Sequence, residues 1–401
     1  MMYAEGWQIP ASELTRRYQA LQAKMAQQQI DLAILVQNAD LFYFTGSVQQ
    51  GMLLIPCSGE PVYCVRRDFE RARYESTLST IVEAPSPRQL ADFVCQHFGE
   101  LPKQPGLELD VLPVSFYQRL MRAFPDCDGA DITPLIRQVR MIKSPFELAR
   151  MRGAADQLAV IYEEAKQVIC EGMSDLELSA HLEKTARLAG HQGITRMRAF
   201  NGEFYCGHAF SGAAGARPTF SDTPLGGVGL TPAVGQGAGH KVIAAHEPII
   251  IDFIGAYQGY LCDQTRTMCL GGLSDDLSRG YDDMLEILWY MEQIAKPGVP
   301  WGKIYRQCHE MARTLGHEQA FMGLEGSQVG FIGHGIGTEI DEYPFIARGF
   351  DQDVLEENMT FAFEPKLVYP GIGAVGVENT YVVTADGVEA LTRCPEALVV
   401  L

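Results

Sequence analysis

Two pairs of carboxylates in apolar, strand-like segments restrict the possible folds of this chain more than any other feature. The segment 248–270 has the pattern of a β-hairpin: an isoleucine run ends at Asp252, a turn follows, and a second strand carries Asp263. The two aspartates are equidistant from a turn centred between Tyr257 and Gln258. In an antiparallel ladder without a bulge they would face each other with Cβ atoms about 5 Å apart, where like charges destabilise a sheet. The spacing therefore predicts a cation between them.

The same arrangement recurs near the C-terminus, where Glu364 and Glu378 are equidistant from Gly371 in a predicted turn. One acidic pair on a solvent-facing sheet surface carries little information. Two pairs in apolar segments would each bury charge at a cost of roughly several kcal/mol, unless cations neutralise them. The two pairs together therefore favour a site for divalent metal ions.

A candidate nitrogen ligand is His334, which lies between Gly333 and Gly335. A lone histidine is usually structural. Here the flanking glycines would let the backbone approach a ligand or turn sharply, and a carboxylate-rich site lacks a nitrogen donor. We therefore add His334 to the candidate metal ligands.

Four strings carry a resemblance to a known family: IIDFIGAYQGYLCDQTRT, FIGHGIGTEIDEYP, FEPKLVYPG and VGVENTYVVT. In this order, over roughly the last 260 residues, the chain resembles the creatinase, prolidase and aminopeptidase P family, the pita-bread metallohydrolases. The resemblance implies a dinuclear centre with the ligands Asp252, Asp263, His334, Glu364 and Glu378.

The resemblance also assigns roles to these residues. Asp263 and Glu378 would bridge two divalent ions, Asp252 would hold one ion, and His334 with Glu364 would hold the other. Such a ligand set suits manganese, cobalt, iron or zinc. Two ions activate water and polarise a carbonyl, so hydrolysis is the expected chemistry, with Glu364 as the proton shuttle.

Two departures from the family pattern affect substrate specificity. The peptidases carry a histidine before the first metal-binding aspartate and another after the Gly-His-Gly motif. Here Gly235 aligns with the first, and Asp341 takes the place of the second. Three other histidines could compensate, although each is predicted to be a surface or loop residue: His208, His240 and His246.

Asp341 suggests a substrate preference. A carboxylate in place of an imidazole disfavours an anionic group and favours a cationic one. Our hypothesis is that Asp341 binds substrate, and that the substrates carry a free amine or quaternary ammonium near the scissile bond.

Composition excludes some classes of partner. Acidic residues outnumber basic ones 50 to 32, the net charge is −18, and basic runs are lacking, which argues against nucleic acid. No apolar stretch approaches the length of a membrane span, and the N-terminus lacks a signal-peptide pattern, so a cytoplasmic location is predicted. The 10 scattered cysteines are interpreted as buried free thiols, and Cys262 is expected to point away from Asp263.

Alternating helical and strand patterns predict an α/β N-terminal domain, residues 1–140, of the creatinase type. Its predicted helices cover 12–28, with Ser12 as the N-cap, 68–76 and 88–98; its predicted strands cover 32–36, 51–56, 61–66 and 105–112. A capping box at Ser144 opens the second domain, residues 141–401, with a helix to about Cys170.

An internal repeat is indicated within the second domain. Residues 172–190 and 298–316 share spacing and a glycine-closed helix end at an offset of 126, although coincidence is an alternative. The repeat favours an α+β pita-bread domain with pseudo-twofold symmetry.

Residues 371–376 match a dinucleotide-binding pattern, but a strand follows them, so we interpret them as a hairpin turn.

Three functions remain open. The first is a metal-dependent hydrolase of small peptides, such as an Xaa-Pro aminopeptidase or dipeptidase. The second is a non-peptide hydrolase or lyase acting on a small metabolite, similar to the creatinase, ectoine hydrolase or dimethylsulfoniopropionate lyase branches. The third is a non-catalytic pita-bread binding protein, which the intact ligand set disfavours. The family resemblance implies a homodimer.

Overall fold

The computed structural model describes residues 3, 6–125, 127–203 and 205–401. Contacts between residues divide the chain into two units. The first runs through Arg140 and includes Arg198–Asn201, and the second comprises Met141–Met197 and Gly202–Leu401. Four residues near 200 thus belong to the first unit, whereas the predicted N-terminal domain comprises residues 1–140 alone.

The N-terminal unit is built on one mixed, six-stranded sheet of order β4-β3-β2-β1-β5-β6. Its helices are α1 Ala11–Gln27, α2 Asn38–Thr45, α3 Phe69–Glu75, α4 Leu90–Phe98, α5 Val114–Met121 and α6 Thr133–Arg140. Its strands are β1 Leu32–Leu35, β2 Gly51–Pro56, β3 Val62–Val65, β4 Ile81–Glu83, β5 Pro105–Leu107 and β6 Ala130–Asp131. The predicted α/β class is confirmed, but the predicted strand at 105–112 ends at Leu107.

Helix α1 illustrates why these elements form. Leu14, Tyr18, Leu21 and Met25 recur at helical spacing and are buried on one face. The prediction that Ser12 caps this helix is wrong. Pro10 occupies the N-cap position in an extended conformation, and its carbonyl accepts the first helical bonds, which places Ser12 inside the first turn.

The C-terminal unit contains two helix pairs and three groups of strands. Its helices are α7 Pro145–Val168, α8 Asp175–Leu188, α9 Asp275–Ile294 and α10 Trp301–Thr314. Its first strands are β7 Gly207–Ser211, β8 Ile249–Tyr257, β9 Tyr260–Cys269, β10 Phe331–Ile336 and β11 Ile340–Ala347. Its last strands are β12 Thr360–Phe363, β13 Lys366–Tyr369, β14 Gly373–Gly376, β15 Asn379–Val383, β16 Val388–Ala390 and β17 Val399–Val400.

The strands form a four-stranded sheet, β17-β9-β8-β7, a five-stranded sheet, β11-β10-β12-β15-β16, and the β13–β14 hairpin. The hairpin spans the glycine-rich segment 371–376, as predicted. Between α9, α10 and the five-stranded sheet lies an extensive core of buried aliphatic and aromatic side chains. This core packs against β10, β12 and β15, the strands that carry or adjoin His334, Glu364 and Glu378.

The predicted capping box at the start of α7 is confirmed. The Ser144 hydroxyl accepts from the Glu147 amide and the Glu147 carboxylate accepts from the Ser144 amide, while Pro145 occupies the first helical turn. The box satisfies amide groups that a helix start would otherwise leave without a partner.

The predicted repeat is visible in the helix ends. Helices α8 and α10 correspond at an offset of 126 at both boundaries. Gly190 and Gly316 follow them with φ values of 89° and 90°, which favour glycine. The amides of His191 and His317 then bond back to Ala186 and Ala312, each at 2.9 Å. Each half of the unit thus pairs two helices with a sheet that bears candidate ligands.

The cysteine prediction is correct only in part. All ten are free, but Cys57, Cys95 and Cys170 are exposed. Cys262 is buried, and its thiol donates to the Met151 carbonyl at 3.1 Å, away from the acidic cluster as expected. No helix among the described residues combines the length and the hydropathy that a membrane span requires.

Candidate metal centre

One cavity in the C-terminal unit brings together all five predicted ligands. Asp252 lies on β8, Asp263 on β9 and His334 on β10, while Glu364 directly follows β12 and Glu378 directly precedes β15. All five line the cavity. Asp263, His334, Glu364 and Glu378 are each at most 6% exposed, so nearly all of this charge is removed from water.

The predicted face-to-face pairing of Asp252 with Asp263 is wrong. Asp252 pairs with Thr265, and Asp263 pairs with Ile254. The turn consists of Gln258 and Gly259, both with positive φ, so its centre lies one residue later than predicted. A shift of one residue in the turn moves the partner by two residues and keeps both aspartates on the same sheet face, as diagonal neighbours.

The second acidic pair follows the predicted symmetry about Gly371. Phe363 pairs with Asn379 and Lys366 pairs with Gly376, and both pairs are centred on Gly371. Glu364 and Glu378 lie between these two pairs, where the ladder is interrupted. The interruption leaves their side chains free to turn into the cavity.

The residues Asp263, His334 and Glu378 fit a metal ion. Each offers one ligand atom, and the three atoms lie within 4.8 Å of one another. Among the described residues, Glu378 Oε1 is buried and has no hydrogen-bond partner. A buried carboxylate oxygen without a partner costs about 1–3 kcal/mol or more, and a cation beside it would remove this cost.

Hydrogen bonds from two threonine side chains position the candidate ligands Asp263 and Glu378. Thr265 donates to Glu378 Oε2 at 2.7 Å. Thr380 accepts from the Asp263 amide at 2.8 Å and donates to the Asp263 carbonyl at 2.9 Å. These bonds join β9 to β15 and therefore fix the distance between Asp263 and Glu378.

Lys366 is a member of the site that sequence reasoning missed. Its side chain is 2% exposed, and its ammonium lies 2.5 Å from Glu364 Oε2, 2.9 Å from Glu378 Oε2 and 3.4 Å from Asp252 Oδ2. The signal in the sequence was a lysine two residues after Glu364 in an apolar strand, because alternate residues of a strand share a face.

The electrostatics of the cavity follow from this crowding. Burial, with the charges of Glu378 and Asp252, raises the pKa of Asp263 well above its usual range. Burial also raises the pKa of Glu364 to about 7, despite the opposing effect of Lys366. For Lys366, burial alone would lower the pKa, but Asp252, Glu364 and Glu378 outweigh it and raise the pKa. The three carboxylates around its side-chain nitrogen therefore favour the ammonium form of Lys366.

The glycines on either side of His334 allow the neighbouring strands to pack closely against β10. A Cβ atom at Gly333 would lie 2.4 Å from the Ala362 carbonyl oxygen, and one at Gly335 would lie 2.3 Å from the Tyr343 carbonyl carbon. Side chains at these two positions would collide with the neighbouring strands β11 and β12.

The His334 ring lies 3.7 Å from both Glu364 Oε1 and Asp341 Oδ1. The carboxylates of Asp341 and Glu364 raise its pKa, although burial alone would lower it.

The prediction that His208 is a surface or loop residue is wrong. It is buried on β7, pairs with Asp252 in the sheet and lines the cavity. Burial lowers its pKa, which favours a neutral imidazole. Gly237 has φ 79°, and a Cβ there would lie 3.0 Å from His208 Nδ1. His240 and His246 are exposed, as predicted.

Of the two positions where the family pattern breaks, one lies in the cavity. Asp341 lines it, with its side chain 31% exposed and its backbone at φ 63°. Gly235 is absent from the cavity lining, and no described atom lies within 4 Å of the position its Cβ would occupy. His208, rather than a residue near Gly235, therefore brings a second imidazole to the site.

The fold and the site define a class, that of the metal-dependent hydrolases with a creatinase-type N-terminal domain and a pita-bread catalytic domain. Residues 149–385 match metallopeptidase family M24, and residues 17–142 match the creatinase/prolidase N-terminal domain. The chain belongs to metallopeptidase family M24. Its family implies divalent metal ions, in agreement with the cluster of Asp263, His334 and Glu378.

Named relatives cover nearly the whole chain. An Xaa-Pro dipeptidase from Pyrococcus horikoshii is 25% identical over 378 residues, which are 94% of this chain and 96% of the relative. The structure of an Xaa-Pro dipeptidase from Bacillus anthracis is 26% identical, with TM-score 0.82 over 97% of this chain and 100% of that one. The structure of an X-Pro aminopeptidase from Thermotoga maritima is 25% identical, with TM-score 0.78 over 94% and 100%.

Proposed function

We propose that this protein is a metal-dependent peptidase that cleaves small Xaa-Pro peptides, as a dipeptidase or an aminopeptidase. The observation that carries the proposal is the convergence of Asp263, His334 and Glu378, with a buried Glu378 oxygen that lacks a partner among the described residues. Relatives named Xaa-Pro dipeptidase that align over nearly the full length support the substrate class.

Asp263, His334 and Glu378 would hold the ion, and Asp252 and Glu364 complete the predicted ligand set. Manganese, cobalt, iron and zinc all suit this set. A divalent ion bound there supplies Lewis-acid activation of water and of the scissile carbonyl. The predicted second ion would have to share Asp252 and Glu364 with the Lys366 ammonium.

Glu364 is the proposed proton shuttle. A carboxylate beside a water molecule that a metal ion activates can accept its proton and pass it to the leaving amine. Glu364 Oε1 faces His334 at 3.7 Å, and Glu364 Oε2 accepts from Lys366. One oxygen is thus held in place, and the other faces the region where the substrate would react.

The walls of the cavity suit a small peptide. Met197, Ile254, Phe331 and Ile340 provide apolar surface that a proline ring would bury, and Asp341 and His208 provide polar groups. Asp341 is the proposed binding group for the substrate amine. A cytoplasmic location and a homodimer remain predictions.

A panel of dipeptides tests the proposed function. We expect the full chain, purified without chelator and supplied with Mn²⁺ or Co²⁺, to release proline from Ala-Pro and Met-Pro, and to leave the reversed peptides Pro-Ala and Pro-Met intact. Amino acid release measured by chromatography reports cleavage. A protein that binds metal but cleaves none of these dipeptides would reject the Xaa-Pro dipeptidase and favour a non-peptide C–N hydrolase, the alternative that the changes at Gly235 and Asp341 leave open.

Asp341→His and Asp341→Asn test the role of Asp341. Because the carboxylate lines the cavity, its removal should lower the preference for free-amine over N-acetylated peptides by roughly tenfold in kcat/KM, equivalent to about 1.4 kcal/mol. Asp341→Asn keeps the size and removes the charge, so both variants should shift the preference in the same direction. An unchanged preference in both would remove Asp341 from substrate binding.

A further inference from the structure

The side-chain nitrogen of Lys366 lies among the residues that the family resemblance assigns as metal ligands. A protonated lysine there would place a positive charge beside their carboxylates. An ammonium has three N–H donors, and in this site it reaches three different carboxylates, those of Asp252, Glu364 and Glu378. Two of these three contacts are 2.9 Å or shorter. Asp252 and Glu364 are the two predicted ligands that do not belong to the set of Asp263, His334 and Glu378. Lys366 donates a hydrogen bond to each of them.

The fold makes room for this lysine. Lys366 is the first residue of β13, and its partner across the hairpin is Gly376. A Cβ atom at Gly376 would lie 2.6 Å from Lys366 Cγ, so any larger residue would displace the aliphatic stem. The buried stem crosses the hairpin over this glycine and delivers the ammonium to the carboxylates.

The remaining ligand atoms suit one ion. Asp263, His334 and Glu378 form the set that could hold a metal in the described part of the chain, and Glu378 divides its two oxygens between roles. Its Oε2 accepts from Lys366 and Thr265, while its Oε1 has no hydrogen bond among the described residues. Glu378 therefore contacts an internal cation through Oε2 and can offer Oε1 to a metal ion.

Charge supports the same conclusion. Asp252, Asp263, Glu364 and Glu378 carry four negative charges when ionised, which two divalent ions would balance without help. An additional buried ammonium among them would be a surplus positive charge, repelled by both ions in a site of low effective dielectric constant.

We propose that the Lys366 ammonium is a resident cation that takes the place of one metal ion, so that this chain binds a single divalent ion through Asp263, His334 and Glu378. The inference rests on the proposed function only for the presence of a metal. It does not depend on which substrate is cleaved.

Metal stoichiometry tests the inference directly. The full chain is loaded with excess Mn²⁺, freed of unbound metal, and its metal content per chain is measured by mass spectrometry. A parallel calorimetric titration with Mn²⁺ gives the number of sites independently. We expect about one ion per wild-type chain, and about two per chain in Lys366→Ala, which removes both the charge and the stem.

Lys143→Ala is the matched control. Lys143 is also a buried lysine of the C-terminal unit, paired at 3.0 Å with Glu342, but it does not line the cavity. This variant should bind one ion, like the wild type. Thermal unfolding of each variant establishes that it is folded before its metal content is compared.

Two ions per wild-type chain would overturn the inference, whether or not Lys366→Ala folds, because the ammonium would then yield to metal. No ion in the wild type would overturn it too. A folded Lys366→Ala protein that still binds one ion would show that the lysine does not exclude the second. A chain with one ion that cleaves no Xaa-Pro peptide would reject the proposed function and leave this inference standing.

Discussion

Replacing His334 by alanine should lower kcat/KM for Ala-Pro by about a thousandfold or more. His334 is the single nitrogen donor in the set that could hold a metal, and it lies within 4.8 Å of ligand atoms of Asp263 and Glu378. A metal ion contributes several kcal/mol of transition-state stabilisation, and about 4 kcal/mol corresponds to a factor of roughly a thousand in rate. Initial rates at saturating metal, with the metal content of the variant, measure the effect.

His240→Ala provides the control for this experiment. His240 is an exposed histidine of the connection between β7 and β8 and does not line the cavity. The His240→Ala variant should therefore retain the wild-type rate and metal content. A His334→Ala variant that kept its rate within tenfold of the wild type would show that the ligand assignment is wrong.

The second large effect concerns stability. Replacing Asp40 by alanine should lower the free energy of unfolding by about 3–5 kcal/mol, because it removes the buried carboxylate that the guanidinium groups of Arg140 and Arg198 share. Asp40 is fully buried in the N-terminal unit, accepts from Arg140 at 2.8 Å and contacts Arg198. Arg198 also bonds to Asp110 at 2.6 Å, so the network extends beyond the first pair.

The pH dependence of this contribution follows from its sign. Burial raises the pKa of Asp40, but Arg198 and Arg140 outweigh it, so the pKa in the fold is lowered. A carboxyl group with a lowered pKa in the fold stabilises it above the pKa of the unfolded chain, and the contribution is lost as the pH falls through the folded value. Wild type and Asp40→Ala should therefore differ most near neutral pH and converge in acid.

Guanidinium unfolding curves at several pH values measure both effects. Asp92→Asn is the control, because Asp92 is an exposed aspartate of helix α4 in the same unit and should change stability by about 0.5 kcal/mol or less. Equal losses in Asp40→Ala and Asp92→Asn would show that the buried network adds nothing beyond ordinary surface charge.

Local patterns in the sequence identified much of the fold. The capping box at Ser144 and the glycine-closed ends of α8 and α10 were predicted correctly, since each depends on residues within a few positions along the chain. Boundaries that depend on packing were less accurate. The strand predicted at 105–112 is three residues long, because β5 pairs only with short segments of β1 and β6.

The acidic hairpins show how a correct interpretation can contain a wrong register. The equal distances of Asp252 and Asp263 from the predicted turn centre predicted that they share a face, and they do, but the turn at Gln258–Gly259 moved their pairing by two residues. Sheet faces alternate with period two, so the face survives a two-residue shift while the partner does not.

The sequence by itself determined the family resemblance, the two-domain class and the five candidate ligands, because strand alternation and motif spacing are local properties. Only the tertiary structure decided how charge is balanced among those ligands. The stem of Lys366 crosses Gly376 in one hairpin, and its ammonium reaches Asp252 on a different sheet. His208 likewise lies beside Asp252 only because β7 pairs with β8. Contacts between strands that are distant in sequence depend on how the sheets pack, and spacing along the chain does not specify them.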